Sequence, residues 1–208
     1  MPTVRQIRFL GKPVVFAAAL LPLLGLVAGA AGVKGFRLGA NPVETIQDTT
    51  GIWALRFLLI TLSMTPLRWA TGQAWPLQFR RMLGLFAFSY AALHFTNYLL
   101  LDRALDFREI LPDIVKRPFI TIGFTALLLL IPLAVTSTAG WRRRLARRWQ
   151  KLHRLIYVIA ILGCWHFWWQ VKKDITEPLV YVLILAVLLG IRVWRGRGFS
   201  PERKMNRG

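Results

Sequence analysis

Apolar residues in this chain gather into runs instead of alternating, and six of the runs are long enough to cross a bilayer. They are Pro13–Val33, Gly51–Trp69, Met82–Leu101, Phe119–Thr136, Leu152–Val171 and Leu179–Trp194. About 20 mostly apolar residues, rising 1.5 Å each, cover roughly 30 Å of hydrocarbon. Lipid offers nothing to answer backbone N–H and C=O groups, so runs of this kind form helices. The strand alternation of an outer-membrane barrel is absent. The connecting segments are short, and the sequence shows no internal repeat, linker or soluble domain. The pattern predicts an all-α integral membrane protein, a six-helix bundle over residues 13–194. It is flanked by a basic segment over 1–12 and a basic tail over 195–208.

Composition supports this reading. Apolar residues make up 55% of the 208 and charged residues 18%, whereas a soluble domain carries about a quarter charged residues. The net charge of +19, taken alone, suggests nucleic acid. Its distribution argues for topology instead. With the N-terminus in the cytoplasm, 19 of the 28 Lys and Arg residues fall on the inner side and 9 on the outer. That bias puts both termini inside and predicts a multi-pass protein of the bacterial inner membrane. The surplus charge attracts anionic lipids, at about 1 kcal/mol per residue near the surface. Nucleic acid is not an expected partner. The stretch Met1–Lys12 followed by an apolar run and Ala28-Gly29-Ala30 resembles a secretory signal. The run of about 20 residues exceeds the 7–15 of a signal core, so it is expected to stay as the first helix. A single cysteine, Cys164, excludes an intrachain disulfide and a thiolate metal cluster.

Candidate chemistry rests on three histidines, His94, His153 and His166, all within or at the edge of predicted helices. An ionisable residue at membrane depth is costly and turns toward the bundle interior, where a hydrogen-bonded structural role competes with a functional one. Depth favours function for two of them. His94 lies 13 residues beyond Arg81 and His166 lies 12 beyond Arg154, so each sits about 18–20 Å along its helix from the inner end. Two imidazoles at matched depth on facing helices suit the axial positions of haem iron. Phe95, Trp165 and Phe167 flank them, while Trp168 and Trp169 suit an outer interfacial belt. His153, at the inner end of the fifth helix, stands roughly 140° from His166 on an ideal helix. The two share a stripe only if the helix is irregular near Gly163. An inner haem on His153 lacks a second histidine: the position 14 residues before His94 is Arg80, and Met64 and Met82 are weaker candidates. Arg80, Arg81 and Arg148 suit haem propionates or a flavin phosphate.

The residues that carry a family resemblance run through nearly the whole chain. They are Leu38-Gly-Ala-Asn-Pro-Val43 with Ile46-Gln47 and Thr50-Gly51; Arg80-Arg81-x-Leu83-Gly84-Leu85; Leu93-His94; Arg117-Pro118; Thr136-Ser137-Thr138; and Arg148-Trp149-Gln150-x-Leu152-His153 with Tyr157. With these motifs the chain resembles the haem-binding membrane subunits of the periplasmic protein-methionine-sulfoxide reductase system. They belong to the ferric-reductase-like transmembrane group, whose core corresponds to about 51–171. The resemblance implies electron transfer from the respiratory quinone pool through haem b to a periplasmic molybdopterin subunit that reduces methionine sulfoxide. FMN is the second implied cofactor, and a cytoplasmic flavin reductase is a further donor left open. His94, His153 and His166 match three of the four histidine positions that hold two stacked haems in the larger oxidases. Arg80 departs from the fourth, so one haem is expected and a second stays open.

No Gly-rich dinucleotide fingerprint follows a strand in this sequence, so NADPH oxidation is not expected within the chain. The outer segments Lys34–Thr50 and Asp102–Pro118 are the expected docking surface for the partner, or simple connections in which Asn41-Pro42 turns and Asp48 or Thr49 caps a helix. The arginine-rich loop Trp141–Arg154 is the expected place for a flavin phosphate. Two other functions stay open at this stage: a haem-containing transmembrane metalloreductase, and a haem-free membrane scaffold or transporter.

Overall fold

A computed structural model describes residues 3–171 and 174–197. Lys172, Lys173 and the expected basic tail from residue 198 onward lie outside the described residues. The described chain is helical throughout. It opens with α1 (Val4–Gln6), a π turn over Ile7–Gly11, and α2 (Lys12–Ala30). Next come α3 (Pro42–Thr71), a 3₁₀ turn over Trp75–Gln78, α4 (Arg80–Asn97) and a second π turn over Tyr98–Asp102. Then follow α5 (Phe107–Lys116), α6 (Pro118–Val135), α7 (Ala139–Leu145), α8 (Arg147–His153), α9 (Leu155–Gln170) and α10 (Thr176–Arg197).

Five helical runs among the described residues are long and apolar enough to cross a membrane: Ile7–Ala30, Pro42–Thr71, Arg80–Asp102, Pro118–Val135 and Thr176–Gly196. The fifth expected run, Leu152–Val171, is divided. The chain turns at Arg154, and α9 keeps 16 residues, about 24 Å of helix. Helix α9 runs without a break through Gly163, and the irregularity between His153 and His166 is at Arg154.

Helix α3 starts nine residues before the expected Gly51. Its N-cap is Asn41, whose side-chain oxygen accepts from the Glu44 amide at 3.3 Å while its own amide donates to the Glu44 carboxylate at 3.1 Å. Pro42 follows in the first turn, where a missing N–H costs nothing. This reciprocal cap replaces the expected caps at Asp48 and Thr49, which lie inside the helix. Gly72, at φ 66°, closes the other end in the left-handed conformation.

The core is built from two helical hairpins, α3–α4 and α6–α9, which are the two most extensive helix pairings and meet along α4 and α6. Leu55, Leu58, Leu62, Leu83, Leu130, Ile159 and Ala160 fill the space between them. Helix α2 covers one side: Phe16 packs on Phe86 with ring centres 5.2 Å apart, and the fully buried Tyr90 hydroxyl donates to the Ala19 carbonyl at 2.7 Å. Helix α10 covers the other. Arg56 Nε donates to the Tyr181 hydroxyl at 2.8 Å, and Arg192 donates to the Leu62 carbonyl. Near the opposite end of α10 from Tyr181, Arg195 lies over the Trp69 ring.

At one end of the bundle an ion cluster binds α5 to the end of α4. Asp113 accepts from Arg103 at 2.9 Å, from Arg117 at 2.6 Å and from the Tyr98 hydroxyl at 3.0 Å. Burial opposes the charge on Arg103, but Asp113 and Asp102 more than offset it and raise its pKa above the usual value.

Tyr90→Phe removes the hydroxyl that bonds α4 to the α2 backbone while keeping the ring. It is expected to cost roughly 0.5–1.5 kcal/mol, and Tyr90→Ala about 3 kcal/mol or more through the cavity it leaves. Thermal unfolding of the purified protein in detergent measures both.

Candidate haem-binding site

Each of the two hairpins carries one histidine, and the structure brings His94 of α4 and His166 of α9 together. Their ring centres are 6.1 Å apart and the rings are nearly perpendicular, at 82°. His94 is three residues from the end of α4, and His166 is four from the end of α9. The π turn carries the α4 span on to Asp102, so His94 lies about 12 Å and His166 about 6 Å, along the helix axis, from the same end of the bundle.

The two sites repeat one construction. His94 Nδ1 meets the Gln47 carbonyl at 3.0 Å, and His166 Nδ1 meets the Phe119 carbonyl at 2.7 Å; both partners are 47 residues earlier in the chain. A carbonyl only accepts, so each Nδ1 carries the proton and each Nε2 keeps its lone pair for a metal. Four residues beyond each carbonyl stands a glycine. A Cβ built on Gly51 would lie 2.8 Å from His94 Cε1, and one on Gly123 would lie 2.8 Å from His166 Cε1. Gln47 and Phe119, Gly51 and Gly123, and His94 and His166 are all 72 positions apart. The hairpins are thus related by an internal repeat that the sequence does not display.

The repeat is not symmetric in polarity. At the Gln47 position the second hairpin has Phe119, whose ring centre is 6.4 Å from that of His166. The Gln47 amide lies 3.3 Å from His94 Nε2, and its oxygen accepts from Asn97 Nδ2 at 2.5 Å. Asn97 is buried, and among the described residues its Oδ1 has no partner. A metal held by His94 Nε2 would take the place of the Gln47 contact, and Asn97 would still hold Gln47.

These residues fit bis-histidine haem. Two imidazoles bound to one metal at about 2 Å each have ring centres roughly 6 Å apart, as here. Phe95, next to His94 in the chain, packs against Phe124, next to Gly123, at 5.3 Å and against Tyr98 at 6.1 Å. Trp165 and Trp169 stack on each other at 5.8 Å and are about half exposed, facing away from the core.

His153 is not brought to this pair. It ends α8, stacks on Trp149 with ring centres 3.9 Å apart, and its Nε2 lies 3.1 Å from the Thr136 hydroxyl. That hydroxyl donates to the Pro132 carbonyl at 2.6 Å, and Trp149 Nε1 donates to the Thr136 carbonyl at 2.9 Å. Thr136 has one proton and spends it on Pro132, so it accepts from His153, whose Nδ1 keeps the lone pair. Met64 and Met82 pack in the apolar core. Arg80, Arg81 and Arg148 are exposed. Arg148 lines a shallow depression of about 420 Å³ with Arg144 and Arg147, and a second of about 380 Å³ lies over Thr138, Trp141, Arg143 and Arg144. Arg80 and Arg81 line neither.

Sequence reasoning found the histidine pair by depth but gave no role to Gln47, Gly51, Asn97, Gly123 or Thr136. Gln47, Gly51 and Thr136 stood in the family motifs. Asn97 and Gly123 carried no signal beyond a polar residue and a small one in apolar runs.

The sequence profile of the ferric reductase like transmembrane component matches residues 50–164. The protein-methionine-sulfoxide reductase heme-binding subunit MsrQ of Xanthomonas campestris pv. campestris (strain 8004) is 57% identical over 187 residues, spanning 88% of this chain and 86% of the relative. That of Xanthomonas oryzae pv. oryzae (strain MAFF 311018) is 56% identical over the same shares. That of Herminiimonas arsenicoxydans is 53% identical over 186 residues, spanning 88% of this chain and 84% of the relative.

The glycines yield a direct test. Gly51→Ala and Gly123→Ala should each force an imidazole off its rotamer at about 1 kcal/mol or more, weakening haem retention at least fivefold. Gly163→Ala, on the same helix as His166, places its Cβ 3.5 Å from Leu55, an ordinary contact, and should leave haem content unchanged. Haem titration of the purified variants followed at the Soret band measures the difference.

Proposed function

The chain belongs to the ferric reductase-like transmembrane family and, within it, to the heme-binding subunits of protein-methionine-sulfoxide reductase; from that premise we propose the role that follows. The protein is the electron-transfer subunit that takes electrons from the respiratory quinone pool through haem b and hands them to a periplasmic molybdopterin-containing reductase. That partner carries out methionine sulfoxide reduction and so repairs oxidised periplasmic proteins. The observation that carries this reading is the His94–His166 pair, with both Nδ1 protons fixed on backbone carbonyls.

When bound, haem b supplies one-electron oxidation and reduction at its iron. The chain's own residues do the rest. Gln47 and Phe119 carbonyls fix the imidazole tautomers and orientation. Gly51 and Gly123 let the rings lie against the helix backbones, and the aromatic wall keeps water out. The pair's position near one end of the bundle supports delivery of electrons to a partner at that face. The charge bias of 19 against 9 supports reading that face as the periplasmic one, with both termini in the cytoplasm of a bacterial inner-membrane protein. Helix α9, continued by α8, supports a sixth span. The outer segments 34–50 and 102–118 are the docking surface on this reading.

His153 is assigned to a second, inner cofactor contact through its free Nδ1, with Arg80 and Arg81 available to propionates. The arginine-lined depressions at Arg143, Arg144, Arg147 and Arg148 support a phosphate-bearing flavin such as FMN, supplied there by a cytoplasmic flavin reductase or bound directly.

Haem stoichiometry in the wild type and three variants tests the assignment. His94→Ala and His166→Ala should each abolish the outer haem and its low-spin bis-histidine spectrum. His153→Ala should leave that spectrum in place. A wild type that shows no Soret band after haem supplementation would sink the reading, and loss of all haem from His153→Ala alone would reassign the ligands.

A further inference from the structure

The ten residues of α5 connect the end of α4 to the start of α6, and both of those helices are membrane spans. A ten-residue helix covers about 15 Å, too little to cross a bilayer, so α5 lies at the membrane face near which His94 and His166 sit. Its residues divide into three sectors around the axis. Ile110 is 2% exposed, and Asp113 is held by Arg103, Arg117 and the Tyr98 hydroxyl; this sector docks on the protein. Glu109 and Lys116, one turn from Asp113, are exposed on the adjoining sector, where Glu109 also pairs with Arg103 at 3.6 Å. On the remaining side Phe107, Leu111 and Val115, spaced four apart, form one stripe that is 62%, 64% and 79% exposed.

A stripe of three large apolar side chains left open on a ten-residue helix needs an occupant. The occupant is indicated by what the stripe joins. Leu100 and Leu101, at the end of the α4 span, are 48% and 53% exposed, and Leu105, in the turn before α5, is 47% exposed. Leu105 holds its position at φ 59°, and its amide donates to the Leu99 carbonyl at 2.8 Å. A bulky residue rarely adopts this left-handed conformation. The exposed apolar surface of the span therefore continues through the turn onto α5. An apolar stripe flanked by charged residues is also the pattern of helices that lie in the lipid interface.

We propose that α5 is an interfacial helix, its Phe107–Leu111–Val115 stripe seated in the headgroup and upper acyl region of the leaflet nearest the histidine pair. The ion cluster at Asp113 braces the helix against the bundle while the lipid covers its apolar face. It follows that a partner protein meets the Glu109–Lys116 edge and not the stripe. The inference stands on α4 and α6 being spans, and not on haem.

The test uses the full-length protein in vesicles of phosphatidylethanolamine and phosphatidylglycerol. Leu111→Cys, Val115→Cys and Lys116→Cys, each in a Cys164→Ala background, carry one environment-sensitive fluorophore. At positions 111 and 115, quenching by a lipid with a shallow acyl-chain nitroxide should be at least about twofold stronger than at 116, and quenching by aqueous iodide correspondingly weaker. Equal iodide quenching at all three positions overturns the proposal. So does a stripe that becomes shielded only when the soluble reductase is added, which would make it a protein-docking face. Two independent stripe positions guard against one variant that folds poorly.

Discussion

An imidazole placed in an apolar bundle has two ring nitrogens to satisfy, and this requirement organises the protein. Each of His94 and His166 meets it by giving its Nδ1 proton to a backbone carbonyl on the adjacent helix. Those carbonyls, at Gln47 and Phe119, belong to helical turns. The ring reaches them only because the residue one turn on is glycine. A side chain there would occupy the space of the imidazole. The close approach in turn fixes the spacing of α3 against α4 and of α6 against α9, which are the two pairings around which the other helices arrange themselves.

With Nδ1 occupied, what distinguishes the two histidines is the surroundings of Nε2. On the first hairpin a polar pair, Gln47 with Asn97, stands beside it. On the second an aromatic ring takes the corresponding place. A buried amide next to a ligand changes the electrostatics at the metal, and an aromatic ring excludes water from it. The two histidines are thereby given different environments by two hairpins of the same construction. His153 is treated differently again: its Nε2 is engaged by Thr136 and its ring lies on Trp149. It belongs to a separate arrangement at the arginine-rich end.

Much of this could be read from the sequence, and the exceptions have physical reasons. Run length gave five of the six expected spans, and counting 1.5 Å steps from Arg81 and Arg154 matched His94 with His166. The repeat stayed hidden because what it preserves is backbone geometry. Gln47 and Phe119 share no side-chain chemistry, and the carbonyls that matter are common to every residue. The break at Arg154 carries neither glycine nor proline, so nothing in the sequence marked it. The start of α3 was missed because the search followed hydrophobicity, whereas Asn41, Pro42 and Glu44 spell a cap. Helix α5 falls below span length and contains Pro112, yet the spacing of Phe107, Leu111 and Val115 was legible to a search for helical period.

The end of the bundle near the histidines is also where lipid, ion cluster and connecting helix meet, and these are mechanically joined. Asn97 and Tyr98 are neighbours in the chain: one holds Gln47 beside His94, and the other donates to Asp113 of α5. A displacement of α5 is therefore passed through Tyr98 to the turn of α4 that carries Asn97, three residues from His94. Within an apolar core, packed side chains transmit such shifts instead of absorbing them. A partner that docks at this face would press on α5 and reach the surroundings of His94 through two adjacent residues. Helix α6 offers a parallel route to His166, because the Thr121 hydroxyl donates to the Ile114 carbonyl of α5 two residues from Phe119 and Gly123. The same short helix is tied to both halves of the histidine pair, so its seating bears on both imidazoles together.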